Sequence, residues 1–173
     1  MPGYWRASII AGMYNWLLFA HIASVAGFLL AHGTSAAMAF RLRSEKTTDG
    51  IRSLAELSKQ TTGVMYVFLV LIVISGVFLG FQGRWWGRGW IWIAIVALIL
   101  TIGAMSALGG RYNALRGAVG LAAWDRRGKI TTSAPGPPEA IRQAVEGTPN
   151  AFITAIGVVA LSLLLWLMIL KPF

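Results

Sequence analysis

The sequence predicts an all-α fold: a polytopic membrane protein whose four transmembrane helices form a bundle, with short interfacial helices in two cytoplasmic loops. Hydrophobic residues make up 57% of the 173 residues and charged residues only 12%, against roughly 45–50% and 25% in soluble proteins. Four predominantly apolar runs each come close to the roughly 20 residues that a helix needs to cross the hydrocarbon. Together these observations indicate an integral membrane protein.

The spans are predicted at residues 14–40, 64–81, 90–108 and 151–170 of a single transmembrane domain, residues 1–173. In the first polar connection, apolar and charged residues alternate at helical spacing, which predicts a short helix on the membrane surface or leading into the second span. The second connection is predicted to hold surface helices at 112–124 and 139–145 around a linker rich in Pro and Gly. Gly109 and Gly110 mark the predicted end of the third span, and no sheet is expected.

The distribution of basic residues predicts the orientation. The two polar connections, residues 41–62 and 111–149, hold five and six of the 15 Lys and Arg residues. By the positive-inside rule both connections lie in the cytoplasm and both termini lie outside. The net charge of +9 is explained by this orientation, so the lipid bilayer is the expected environment and no nucleic-acid partner is predicted.

Both histidines of the chain lie in the first predicted span, and an ionisable group inside a membrane helix is a candidate for function. His21 and His32 are eleven residues apart, so both side chains leave one face of the helix and lie about 16 Å apart along its axis. Three interpretations stay open. The histidines are hydrogen-bonded packing residues, axial ligands of b-type haem or another tetrapyrrole such as a chlorophyll, or ligands of Cu(I).

A haem site would need further ligands, because one chain supplies only two histidines. A homodimer would double that number, and methionine can take the position opposite histidine on haem iron. The predicted thioether ligands are Met38, Met65 or Met105 for His32, and Met168 or Met13 for His21. Each imidazole also needs a partner for its second nitrogen. The candidates are Ser24, Ser75, Ser106 and Ser162.

Two surfaces are candidates for contact with other membrane subunits or a second copy of the chain. The first is a stripe of mostly small residues at helical spacing on the first span, which lets another helix approach closely. Its members are Ala20, Ser24, Gly27, Ala31, Ser35 and Met38. The second is the predicted hairpin after the second span, where aromatic and cationic side chains lie at headgroup level. Its candidates are Arg84, Trp85, Trp86 and Arg88.

Several function classes are excluded or unsupported. The chain has no cysteine, which excludes disulfides, thiolate zinc sites, iron–sulfur clusters and covalently attached c-type haem. All six Asp and Glu residues lie in predicted loops, so no acid within the spans can relay protons. No serine or acid pairs with a histidine in a catalytic pattern. The sequence therefore predicts no catalytic residue and does not favour an enzyme.

The segment LLFAHIASVAGFLLAHG (Leu17 to Gly33) and the GTSAAMAFRLR that begins at its last glycine resemble a known family. This family comprises small four-helix bacterial integral membrane proteins of uncharacterised function, distantly similar to copper-resistance D-type membrane proteins. The resemblance implies a bacterial plasma (inner) membrane location and permits haem or copper handling, but it supplies no catalytic residue. The Met- and His-rich periplasmic tails of dedicated copper proteins are missing.

Taken together, the patterns predict an accessory or structural subunit of a larger membrane complex. The alternative is an electron-transfer protein that binds b-type haem or another tetrapyrrole through His21 and His32. Copper handling by the same histidines is a second alternative.

Overall fold

The protein is described here from a computed structural model that covers residues 3–125 and 127–173, with side chains from residue 12 onward. The helices are α1 (Gly3–Ser44), α2 (Thr48–Gln82), α3 (Gly89–Ala118), α4 (Pro138–Glu146) and α5 (Asn150–Leu170). A 3₁₀ turn, Trp85–Gly87, joins α2 to α3, and the strands β1 (Ala123–Trp124) and β2 (Ile130–Thr131) lie between α3 and α4. Over these described ranges, four helical segments are long and apolar enough to cross a membrane: Gly12–Ser44, Thr48–Gln82, Gly89–Ala118 and Pro138–Leu170. The predicted all-α, multi-pass bundle is therefore confirmed.

Helix α2 runs without a break through both the amphipathic stretch and the second predicted span. The Thr47 hydroxyl accepts a hydrogen bond from the backbone N–H of Gly50 at 3.2 Å, which is the usual role of an N-cap residue. Farther along, Thr61 and Thr62 donate their hydroxyls to carbonyls one turn earlier. These polar side chains satisfy themselves on the helix backbone, so the helix continues into the membrane. The predicted interfacial segment thus leads directly into the span.

Helix α3 continues past Gly109 and Gly110 to Ala118, so this pair, predicted as the end of the third span or a loosened last turn, does not end the helix. A glycine in a helix interior costs about 1 kcal/mol relative to alanine. Packing beyond the pair offsets this cost, since Leu115 is only 1% exposed and Tyr112 hydrogen-bonds to Asn150 of α5. The predicted surface helix at 112–124 is instead the end of α3, a turn and β1.

The expectation of no sheet is wrong at one place, because β1 and β2 form a two-stranded antiparallel ladder. The carboxylate of Asp125 closes the turn between them by accepting backbone N–H groups of Arg127 and Lys129, both at 2.8 Å. Gly128 follows the turn with a φ of +73°, a backbone conformation that favours glycine. These are the residue types that tight turns require.

The four long helices form two antiparallel pairs, α1 with α2 and α3 with α5. The pairs join at their two ends. At the basic end, which carries residues 41–48 and 111–149, one core is formed by Leu42, Ile51, Ala55, Leu115, Val119, Leu121, Ile141 and Val145. At the tryptophan end, a second core within the α3–α5 pair is formed by Trp90, Ile91, Ala94 and Leu167, and the turn that joins α2 to α3 packs on α2 through Trp86 and Gly80. Between these cores the bundle is hollow.

A buried polar network ties α1, α3 and α5 together at the basic end. Asn150 is 1% exposed; its Nδ2 donates to the carbonyl of Ala39, and its Oδ1 accepts from the hydroxyl of Tyr112 at 2.5 Å. Beside it, Arg43 donates to the carbonyl of Thr148 at 2.8 Å. Because both polar atoms of the Asn150 amide have partners, this network fixes the register of three helices.

The stripe of small residues on α1 packs against α2. A Cβ placed on Gly27 would overlap ring atoms of Phe68, and Ser24 and Ala31, about one turn away on either side, are buried. Small residues permit this close approach of two membrane helices. The middle of the stripe is therefore covered by α2 of the same chain. Ala20, at its tryptophan end, is exposed.

We expect Gly27→Leu to destabilise the α1–α2 pair strongly, because the new side chain would occupy the position of the Phe68 ring. Overpacking of this kind costs about 1–3 kcal/mol, measured as a lower unfolding temperature of the detergent-solubilised protein by circular dichroism. Gly33→Leu is the matched control on the same helix, since a Cβ there has no neighbour within 4 Å. Equal unfolding temperatures for the two variants would contradict this packing.

Candidate functional site

A cavity of about 1270 Å³ lies between the two helix pairs and is lined by all four long helices. Most of its lining is Leu, Ile, Val and aromatic side chains, and no carboxylate of the described chain contributes to it. Both histidines line it, whereas the lining cations lie toward its ends: Lys59 and Arg116 at the basic end and Lys171 at the tryptophan end. A large apolar cavity with a few polar groups is the usual form of a small-molecule or cofactor site.

The His21 ring is held by α2. Its Nδ1 lies 2.9 Å from Oγ of Ser75, and that oxygen also lies 2.5 Å from the carbonyl of Leu71. A serine hydroxyl has a single proton, and the Leu71 carbonyl can only accept it. The serine oxygen therefore accepts from His21 Nδ1–H. This hydrogen-bond network assigns the tautomer in which Nε2 carries no proton and keeps its lone pair.

Gly76 of α2 provides the space beside this ring. A Cβ on Gly76 would lie 3.3 Å from Cε1 of His21, which is tighter than ordinary contact. The half-buried imidazole is therefore fixed on one side by Ser75 and on another by the α2 backbone. An imidazole with a fixed ring plane, a bonded Nδ1 and a free Nε2 is the arrangement that metal-ligating histidines show.

The His32 ring is held differently, against Gly157 of α5. It stacks parallel to Phe28, with ring centroids 5.9 Å apart and planes 6° from parallel. Its Nε2 lies 2.7 Å from the position that a Cβ on Gly157 would take. Over the part of the chain that the structure describes, neither nitrogen of His32 makes a hydrogen bond to protein. The structure thus distinguishes the two histidines: Nε2 of His32 faces the α5 backbone and would have to turn away to bind a metal.

The predicted methionines fall at two levels of the bundle. The terminal methyl of Met105 lies 3.3 Å from the same Gly157 Cβ position, so this thioether is at the His32 level. Met168 follows Gly157 by eleven residues, as His21 precedes His32 by eleven. Since α1 and α5 are antiparallel, Met168 lies at the His21 level, and it also lines the cavity. Met65 of α2 lines the cavity as well.

Two of the predicted ligand-shell residues have other roles. Met38 is not part of the cavity lining, and its sulfur lies 4.0 Å from the hydroxyl of Thr61. Ser24 donates its hydroxyl to the carbonyl of Ala20 at 2.7 Å, so it is not the partner of a histidine. Ser35 is a member of the predicted stripe, and its side chain lines the cavity.

The hairpin at the tryptophan end packs inward. The ring of Trp85 lies 5.4 Å from that of Trp90, and the ring of Trp86 lies 5.2 Å from that of Phe81. Arg84, by contrast, is exposed, like Arg88 four residues later. Of the four predicted contact residues here, the arginines are free at the surface and the tryptophans belong largely to the fold.

Sequence reasoning missed the two glycines that shape the site. Gly76 and Gly157 interrupt long apolar runs, and a glycine inside a span often marks a close approach of another group. That signal was present, but it did not reveal that the approaching group in each case is a histidine ring.

Comparisons with known proteins give no relative from which a function could be transferred: no family model, no curated protein and no solved structure matches the chain. The fold and the site together define the class of protein: a multi-pass bundle of four membrane helices with an internal cavity that is lined by two histidines.

Proposed function

We propose that the chain is an electron-transfer protein that binds b-type haem inside the bundle, with Nε2 of His21 as an axial ligand. The observation that carries the proposal is the hydrogen bond between His21 Nδ1 and Ser75, which leaves the lone pair of Nε2 available on a ring that lines the cavity. The cavity volume of about 1270 Å³ exceeds the usual range of roughly 300–1,000 Å³ for small-molecule sites. A tetrapyrrole therefore has room beside the ring.

The chain's own residues have separate tasks in this proposal. Ser75 orients the imidazole and raises its basicity by accepting from Nδ1–H. Met168 lines the same cavity and would offer a thioether, a ligand that raises the reduction potential of haem. The walls of the cavity are mostly apolar, and no carboxylate of the described residues lines it. Haem, when bound, supplies one-electron redox chemistry.

Two other ligands compete for these residues. The magnesium of a (bacterio)chlorophyll accepts a single imidazole and would use the same Nε2 of His21. Copper handling is supported by His32 and Met105, because imidazole and thioether are both ligands of Cu(I) and both approach Gly157. The described residues contain no group of three or more His, Cys, Asp or Glu that could hold a metal ion. The haem proposal needs no such group, since most of the iron ligands belong to the porphyrin.

The test is a titration of the purified, detergent-solubilised chain with ferric protoporphyrin IX, followed by the Soret band. We expect saturation at one haem per chain and a shift of the band on reduction. Copper analysis of the same sample separates the alternatives. The copper alternative would be favoured by two results together. The protein would bind Cu(I) stoichiometrically, and the Soret band of added haem would be the same as in micelles without protein.

We place the protein in a bacterial plasma (inner) membrane, with residues 41–62 and 111–149 in the cytoplasm and both termini outside. The support is the positive-inside rule, because these two connections hold most of the Lys and Arg residues. Labelling of single cysteines at residues 45–59 with an impermeant reagent applied from outside would contradict this orientation.

We further propose that the protein works as an accessory or structural subunit of a larger membrane complex, to which it contributes the haem. Arg84 and Arg88 favour this, since both are exposed and no acidic residue of the chain lies near them in sequence. Extraction in a mild detergent should then yield a particle with protein mass above the 18.7 kDa of one chain. Arg84→Glu with Arg88→Glu should dissociate it, whereas Arg52→Glu, at the other end, should not. A single chain in all three samples would contradict the subunit role.

A further inference from the structure

The tryptophan end of the protein carries cations but no Asp or Glu; the carboxyl group there is that of Phe173, with its oxygen 3.5 Å from the backbone nitrogen of Trp90. All six Asp and Glu residues of the sequence lie at the basic end, in residues 45–56, 125 and 139–146. Both ion pairs of the described residues are also there, Arg41 with Glu45 and Arg142 with Glu146. A cation at the tryptophan end therefore has no carboxylate side chain of this chain to pair with.

Lys171 is the cation at this end that lines the cavity. Its ammonium lies 4.2 Å from the ring centroid of Trp85 and 5.9 Å from that of Trp90. Both distances are within the range of a cation–π interaction. The backbone of Lys171 is held at the end of α5, because its N–H donates to the carbonyl of Leu167 at 3.1 Å. The two indoles thus fix a positive charge at the mouth of the cavity.

A second donor lies at the same end of the protein. Trp86 also lines the cavity, and its Nε1–H is buried without an acceptor among the described residues. Buried N–H groups nearly always have a partner, so an unpaired one indicates a ligand or water that accepts from it. An ammonium and an indole N–H can both donate to a carboxylate oxygen.

The distance between this end and His21 suits one ligand. Met168, at the His21 level, precedes Lys171 by three residues, which is about 4.5 Å along a helix. A group bound through Nε2 of His21 would therefore have one edge close to the level of the ammonium. Haem b and its free-acid relatives carry carboxylates on one edge, whereas esterified tetrapyrroles such as chlorophylls present no such anion.

We propose that Lys171, with the indole N–H of Trp86, binds the carboxylates of the tetrapyrrole, so that the site selects porphyrins with free acid groups over their esters. This inference rests on the proposed function and deepens it. It assigns the orientation of the ligand, acid edge toward the tryptophan end, and it selects haem over an esterified pigment.

The experiment compares two probes, ferric mesoporphyrin IX and its dimethyl ester, titrated into the full-length chain in detergent micelles. We expect the free acid to bind about tenfold more tightly than the diester, the ratio that one charge-assisted hydrogen bond of moderate strength produces. Lys171→Met should reduce the ratio to about twofold or less by weakening acid binding alone, while Lys171→Arg should keep it. Lys59→Met is the matched control, because Lys59 lines the other end of the same cavity.

The outcomes separate the two proposals. Equal binding of acid and diester to the wild-type protein, or a full preference retained by Lys171→Met, would overturn the role of Lys171 while leaving haem binding intact. If Lys59→Met loses the preference for the free acid and Lys171→Met keeps it, the acid edge of the porphyrin faces the basic end. That result would also overturn the role of Lys171. If neither porphyrin binds to the folded wild-type chain, the proposed function fails and this inference fails with it. Trp86→Phe should lower the preference without changing diester binding.

Discussion

Replacing His21 with alanine should weaken haem binding at least about 100-fold, more than the roughly 10–100-fold that loss of an outer-shell partner costs a metal site. The substitution removes the imidazole whose Nδ1 is held by Ser75 and whose ring lines the cavity. Soret titration of the purified variant measures the loss. Added imidazole should restore the band, since it can enter the space left by the side chain.

His32→Ala is the matched control for this prediction, because it removes the other histidine of the same helix face. Its Nε2 faces Gly157, so the affinity should change by less than about threefold. Ser75→Ala should give an intermediate loss of about tenfold, as expected when the partner that orients a ligating histidine is removed. Equal losses in His21→Ala and His32→Ala would contradict the distinction between the two rings. A wild-type affinity in His21→Ala would exclude it as the ligand.

Replacing Asn150 with alanine should have the largest effect on stability. The variant removes two buried hydrogen bonds and leaves the Ala39 carbonyl and the Tyr112 hydroxyl without their partner. Each bond contributes about 1 kcal/mol, so we expect a loss of about 2 kcal/mol, measured by unfolding in mixed micelles with tryptophan fluorescence.

Two variants control for this stability prediction. Tyr112→Phe removes only one of the two bonds and should cost about half as much. Asn15→Ala removes an exposed amide of α1 and should cost less than about 0.5 kcal/mol. If Asn150→Ala and Asn15→Ala have equal free energies of unfolding, the network does not hold the three helices together.

The membrane architecture could be predicted from the sequence because it depends on composition alone. Four apolar runs of sufficient length leave the backbone no alternative to helices in the hydrocarbon. The helix ends could not be predicted in the same way. Gly109 and Gly110 read as a helix end, yet tertiary contacts of Leu115 and Tyr112 carry α3 two turns farther. Local propensity is weak against packing of this kind.

The candidate site shows the same division. The shared face of His21 and His32 follows from helical periodicity. Ser75 was one of four serines that the sequence offered as hydrogen-bond partners of a histidine. Which serine meets which histidine depends on the register of α1 against α2. That register is set by contacts such as Gly27 with Phe68, which involve residues 41 positions apart in the chain. No local pattern encodes such a contact, so the different environments of the two histidines became visible only in the fold.

The most direct measurement of the central claim is the absorption spectrum of the protein purified from membranes of cells supplied with haem, oxidised and then reduced with dithionite. The account predicts a Soret band that shifts on reduction, at one haem per chain, and that is absent from His21→Ala purified in parallel and folded to the same helical content. A colourless wild-type protein from such cells, or a band of equal intensity in His21→Ala, would contradict it.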